Sequence, residues 1–200
     1  MISNFSNTNL LFMPYNNNLL LESFKYYSKI IPIKNLSVFN NELRISVKKE
    51  FLKFVVLFFK LHTFLQYKTL CCITGADYVS KKFRFEVYYE LLSTRFNNRV
   101  RIKVSTDEII GLDSCESIHS TANWYECEVW DMYGIFFINH SNLRRILTDY
   151  GFVGNPLRKD FPLSGFIEVR YNESQKRVVS DQLELSQEYR TFNFISPWES

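Results

Sequence analysis

The sequence predicts an α+β fold: a two-layer domain with a mixed sheet and helices on one face, followed by an extended C-terminal arm. Three observations carry this. Helical and strand periodicities alternate as helix, two strands, helix, three strands up to about residue 105. Two hundred residues with 46% hydrophobic content are enough for one sizeable core without disulfides or metals. Six of the eleven Gly and Pro residues fall in the last fifty positions, where no helical repeat survives. The expected organisation is a variable segment over 1–18, the α+β domain over 19–150 and the arm over 151–200.

Leu19 to Ile31 has apolar residues at helical spacing and stops at Pro32, which predicts a first helix. Ile33 to Phe39 and Leu43 to Val47 flank Asn40 and Asn41, residues that tolerate positive φ, and read as a hairpin. Glu50 to Leu61 is too long and too continuously apolar for a strand and is expected to be a buried helix. Leu70 to Thr74, Phe83 to Leu92 and Val100 to Ser105 read as strands, the last two joined through Asn97 and Asn98. Ala122 to Phe136 is expected to be helical, with Tyr125, Val129, Met132, Tyr133 and Phe136 as its core stripe. Asn142 is expected to cap a short helix reaching Leu147. Within the arm, Ile167 to Tyr171 and Arg177 to Ser180 suggest a hairpin about Asn172 to Ser174.

Several function classes are disfavoured. The net charge of +3 falls short of the footprint of a dedicated nucleic-acid binder. Cys71, Cys72, Cys115 and Cys127 lack the spacing of a zinc or four-thiolate iron–sulfur site and read as reduced, mostly buried thiols, with Cys71 and Cys72 on opposite faces of a strand. Met1 to Leu21 carries no charge, but six Asn and Pro14 interrupt it, so neither a membrane span nor a signal or transit peptide is expected. Gly75 and Gly111 stand alone, so no phosphate loop exists, and Tyr133 to Phe137 lacks the basic lead of an RNA-recognition strand. Phe, Ile, Asn, Lys and Tyr supply more than a third of the chain and Ala occurs only at Ala76 and Ala122, a bias toward AT-rich codons that suggests an organelle genome.

The densest polar cluster runs from Trp124 to Asp131. On a helix Glu128 and Asp131 share one side and Glu126 another, so the three carboxylates cannot converge as a metal triad or an acid/base pair, and ion pairs are the expected use. His140 beside Ser141 lacks a nucleophile elbow and is expected to be a surface or capping residue; His62 ends an apolar helix and His119 sits in a loop. Arg144, Arg145, Arg158, Lys159 and Asp160 gather at the arm's root, as a solvated face or an anchor for carboxylates or lipid headgroups. The arm's eight aromatics disfavour disorder and call for a covering surface, either its own sheet or a partner. Truncation after Tyr150 is expected to leave the domain folded and abolish assembly.

The string NWYECEVWDMYGIFFINHSNLRRILTDYGFVGNPLRKDFPLSGFIEVRY from Asn123, the ending QLELSQEYRTFNFISPWE, and ITGADY and RFEVYYELLS further upstream resemble the thirty-kilodalton subunit family of respiratory complex I (NADH:ubiquinone oxidoreductase), the NuoC type. The likeness is dense over Ala122 to Glu199 and collinear from about Ile45. It implies a core subunit carrying no cofactor, with no catalytic, cofactor or metal residues, whose tail wraps the forty-nine-kilodalton subunit beside the quinone-module iron–sulfur subunits. FMN, iron–sulfur clusters, NADH and ubiquinone would belong to the whole complex, and no nucleic acid to this chain. Membrane association would come only through the complex, on the matrix side of the mitochondrial inner membrane or the cytoplasmic side of a bacterial plasma membrane. The family signature's carboxylates map to Glu126, Glu128 and Asp131, its basic position to His140 and its Arg to Arg144. Cys127, Ser141 and Asn155 stand where the family usually has Arg, Pro and His, and the loss of the Arg removes a potential ion-pair partner of Glu126 or Glu128. Glu126, Glu128, Asp131, Arg144, Arg145, Arg158, Lys159, Asp160 and Phe161 are the residues expected at the partner interface. The rival readings are a free-standing enzyme on the Glu126, Glu128 and Asp131 patch and an RNA-binding module on Arg144, Arg145 and Arg158.

Overall fold

The computed structural model describes residues 27, 29–39, 42–187, 189–190, 192, 194 and 198. The segment expected over 1–18 and most of the helix expected from Leu19 to Ile31 lie outside these residues, as do Asn40 and Asn41. Strands β1 (Ile33–Phe39), β2 (Glu42–Val47), β3 (Thr69–Asp77), β4 (Phe85–Ser93) and β5 (Asn98–Thr106) form one sheet in the order β1-β2-β5-β4-β3. It is mixed: β2 and β5 run parallel, with Ile45 opposite Ile102, and the other pairs run antiparallel. Alternation does the sorting. Leu43, Ile45 and Val47, Val100, Ile102 and Val104, and Phe85, Val87, Tyr89 and Leu91 all turn inward and are buried.

The inner face is covered by α1 (Leu52–Leu61), entered through a 3₁₀ turn at Lys49–Phe51, which buries Leu52, Val55, Val56 and Phe59. Helix α2 (Ala122–Tyr133) lies against β3, where Gly75 admits the Tyr133 ring: a Cβ there would stand 2.7 Å from Tyr133 Cδ2. The short parallel strands β6 (Leu112–Asp113) and β7 (Phe137–Ile138) flank α2 in sequence. The predicted α+β class holds.

Four local expectations are corrected. First, α2 stops at Tyr133 because Gly134 takes φ +74°, and its buried residues are Ala122, Glu126, Cys127, Val129 and Asp131, whereas Phe136 is exposed. Two carboxylates are therefore buried on a helix read as having an aromatic core stripe; hydrogen bonds outweigh desolvation at Asp131 and offset part of it at Glu126. Second, no helix follows Asn142, because the backbone N–H groups of Ile146, Leu147 and Thr148 all point to Asp131 instead. Third, β3 is bulged between Leu70 and Cys72, so Leu70 and Ile73 both face inward while Cys71 is exposed and Cys72 half-buried. Strict alternation of the two thiols, and the burial expected of Cys71, fail for that reason. Fourth, the side chain of His140 is fully buried, not at the surface, because it bonds the α2 backbone.

The chain divides into compact units at residues 1–159 and 160–200. Residues 151–159 thus count with the α+β unit, to which they are hydrogen-bonded. The second unit contains a hairpin of β8 (Ile167–Asn172) and β9 (Arg177–Gln182), with Tyr171 opposite Val178. Leu183 N donates to Phe166 O, and the Phe161 and Phe166 rings meet edge-on at 5.4 Å.

Candidate functional site

Glu126, Asp131, Arg144, Arg145 and Arg158 sit on or against α2, which acts as a rail for two flanking segments. Asp131 is fully buried and accepts five hydrogen bonds: from Ile146 N (3.1 Å), Leu147 N (2.8 Å), Thr148 N (3.0 Å), Thr148 Oγ1 (2.7 Å) and Arg145 Nη1 (2.9 Å). Burial pushes its carboxyl up, but the Thr148 hydroxyl and the three backbone N–H groups outweigh this and hold it below the usual aspartate range. Arg145 also donates to Gly154 O at 2.9 Å, tying the loop to the segment beyond it.

The end of α2 is closed with unusual completeness. The last carbonyls of a helix lack intrahelical donors. Here Gly134 N donates to Trp130 O (2.8 Å), Asn155 Nδ2 to Asp131 O (3.0 Å), Leu157 N to Met132 O (3.1 Å) and Arg158 Nε to Tyr133 O (2.6 Å). The chain is then pinned to β3: Lys159 N donates to Asp77 Oδ2 (2.8 Å), and Arg84 grips the same carboxylate through Nε and Nη2, both at 2.8 Å. The Arg84 guanidinium is the main reason that Asp77 ionises below its ordinary value.

Glu126 serves a different loop. Its carboxylate accepts from Ser114 Oγ (2.5 Å) and Cys115 N (2.7 Å), and burial keeps its carboxyl above the ordinary glutamate range. His140 lies 3.9 Å from both Glu126 Oε2 and Cys127 Sγ. Its Nδ1 receives Asn142 N–H (3.1 Å), which leaves the proton on Nε2 to reach Asn123 O (3.1 Å). Glu116 completes the junction, with its carboxyl drawn down to about 2 by the Ser141 hydroxyl and N–H and the Asn123 amide.

Glu126 and Asp131 therefore bind different loops, as their angular separation requires, and Glu128 is exposed. Arg144 is exposed and stacks over the Trp124 ring at 5.7 Å, whereas Arg145 and Arg158 are half-buried in the contacts above. Asp160 and Phe161 belong to the second unit. Asn155, which stands where the resemblance expects His, caps α2. Cys127 is buried with Sγ 3.5 Å from Asn142 O. Sequence reasoning did not single out Glu116, Asp77 or Ser114, whose roles depend on loops that no spacing rule brings together.

Through these bonds α2 holds both flanking loops. Glu116, Glu126 and Asp131 are engaged with donors, and among the described residues no three His, Cys, Asp or Glu side chains gather to hold a metal ion. A cavity of about 620 Å³ lies on the outer sheet face among Arg44, Tyr88, Glu90, Arg101 and Lys103, and contains none of these site residues.

The sequence profile of the family described as respiratory-chain NADH dehydrogenase, 30 kDa subunit, matches residues 45–167. The chain is 50% identical over 179 residues to NADH dehydrogenase (ubiquinone) iron-sulfur protein 3 of Beta trigyna, covering 88% of this chain and 93% of the relative. The Arabidopsis thaliana protein of that name is also 50% identical, over 88% and 94% of the two chains. NADH-ubiquinone oxidoreductase subunit 9 of Prototheca wickerhamii is 55% identical over 159 residues, 80% of this chain and 83% of the relative. A resemblance first carried by the residues around α2 thus extends over most of the molecule, and the chain belongs to the 30 kDa subunit family of the respiratory-chain NADH dehydrogenase.

Proposed function

We propose that the chain is a core scaffold subunit of the peripheral arm of complex I, holding no cofactor and performing no chemistry of its own. It docks on the forty-nine-kilodalton subunit and keeps neighbouring electron carriers in register during transfer from NADH to ubiquinone. The observation that carries this is the second unit. Its hairpin has one charged face, where Arg170 pairs with Asp181 at 2.6 Å, and one apolar face of Ile167, Val169, Tyr171 and Val178, each more than half exposed. A two-stranded ribbon is marginal in water by itself. Leu163, Phe166, Leu185, Tyr189, Phe192, Phe194 and Trp198 add more exposed apolar surface, far more than an isolated chain usually leaves open.

Lys159 and Arg158 anchor the arm's root, so the arm leaves a fixed point, while Glu128 and Arg144 remain exposed for a partner. No helix among the described residues is long and apolar enough to cross a membrane. Attachment to the matrix face of the mitochondrial inner membrane, or to the cytoplasmic face of a bacterial one, then runs through partners.

The test is truncation, and the hydrogen bonds made by Asn155, Leu157, Arg158 and Lys159 place the cut after Lys159 rather than after Tyr150. The shortened chain is expected to keep the cooperative unfolding of the α+β unit and to be missing from the assembled complex on native gels. Incorporation at the full-length level would refute the scaffold reading.

A further inference from the structure

Helix α1 buries Leu52, Val55, Val56 and Phe59, but its opposite side is also apolar. Phe54, Leu57 and Leu61, followed by Phe64 just past the helix, are 52%, 41%, 68% and 74% exposed. Their spacing of three, four and three residues is that of a helix–helix seam. At 100° per residue the three on the helix, Phe54, Leu57 and Leu61, fall within an arc of roughly 60°, the width of a seam for one partner helix and narrower than the face a helix lays on a broad surface, and Phe64 extends the exposed apolar surface beyond the helix end. The cations nearby are unused: Lys48, Lys49 and Lys53 make no ion pair among the described residues, whereas Lys60 donates to Ile118 O.

We infer that the outer face of α1 is the docking site for an amphipathic helix of a partner polypeptide, with apolar side chains at three- and four-residue intervals and Asp or Glu on its flank. The apolar seam supplies the contact, and the carboxylates meet Lys53 and the lysines at the helix entrance, fixing direction and register. The site belongs to the α+β unit and does not involve the arm. It therefore goes beyond the assembly role proposed above and stands or falls separately from the truncation result.

The native assembly supplies its own probe. Carbodiimide coupling joins a lysine amine only to a carboxylate in direct contact, and hydroxyl-radical oxidation reports which apolar side chains meet water. In the purified complex, Lys53, Lys49 or Lys48 is expected to couple to Asp or Glu within a helix of another polypeptide that carries the matching spacing. Phe54, Leu57, Leu61 and Phe64 are expected to oxidise about fivefold more slowly than in the free full-length chain, because a packed seam excludes water. Equal oxidation in both states would overturn the proposal. So would coupling confined to this chain's own carboxylates or to a second copy of it, or protection that disappears when lipid is removed, the sign of a bilayer rather than a helix.

Discussion

Replacing Asp131 by Asn tests the rail directly. The substitution keeps size and shape but removes the charge and leaves one acceptor oxygen for five donors, of which Ile146 N, Leu147 N and Thr148 N crowd Oδ2 and Arg145 Nη1 and Thr148 Oγ1 face Oδ1. In either amide orientation an NH₂ group confronts donors in a buried site, and Arg145 loses its ion pair. Hydrogen bonds to a charged group contribute about 1.5–3 kcal/mol each, and breaking one side of a buried pair costs about 3–5 kcal/mol. Because the five share one carboxylate they do not add, and the expected loss is about 3–5 kcal/mol, or roughly 6–20 °C in midpoint for a unit of this size. Trp124 and Trp130 lie on α2 and report its unfolding by fluorescence in the full chain, on a Trp198→Phe background that silences the second unit. Amide exchange at Ile146, Leu147 and Thr148 should quicken by about 10²–10⁴-fold, the same free energy read locally. A depressed aspartate stabilises above its ordinary value of about 4 and loses that contribution as pH falls through its lower folded value, so the gap between wild type and variant should close only in strong acid. A loss under about 1 kcal/mol, with those amides as protected as before, would refute the reasoning.

The remaining predictions divide the same neighbourhood. Glu126→Gln should match or exceed wild-type stability at neutral pH: an amide can accept from Cys115 N and donate to Ser114 Oγ, and the raised carboxyl pKa means that ionising Glu126 costs stability as pH climbs above about 4.5. Urea denaturation across pH should show wild type and variant converging below that value. His119 is 5% exposed, its Nε2 has no hydrogen-bond partner among the described residues, and burial, helped by Lys60, lowers its pKa from 6.5 to about 4. Its contribution is complete above pH 6.5 and falls as pH drops toward 4, at about 1.4 kcal/mol per unit and so about 3 kcal/mol in all; His119→Phe should remove this slope and leave the one of opposite sign from Glu126. Gly75→Ala places a methyl 2.7 Å from Tyr133 Cδ2 and should cost about 1–3 kcal/mol in thermal unfolding, recovered in part by Tyr133→Leu.

The strands were legible because their information is local. Val100, Ile102 and Val104 alternate with Arg101 and Lys103, and a period of two admits one orientation once one face is buried. The α1 helix was legible from its length, and the β8–β9 hairpin from polar residues between two β-rich runs. Around α2 the same method misjudged what lay inside. Hydropathy assigns carboxylates to the surface, and only donors brought from distant positions, such as Ser114 for Glu126 or Thr148 for Asp131, make their burial tolerable.

From sequence alone the order of helical and strand periodicities and the run from Asn123 determined the α+β class and family membership. Tertiary structure alone decided that Glu126 and Asp131 are internal fasteners, that Asn155, Leu157 and Arg158 cap α2, and that the helix expected to be buried over Glu50 to Leu61 leaves its outer face of Phe54, Leu57 and Leu61 exposed. Periodicity reports which face of an element avoids water. It carries no information on which loop, folded back across tens of residues, brings the N–H groups that let a charge be buried, or on which apolar face is left uncovered once the chain's own core is full.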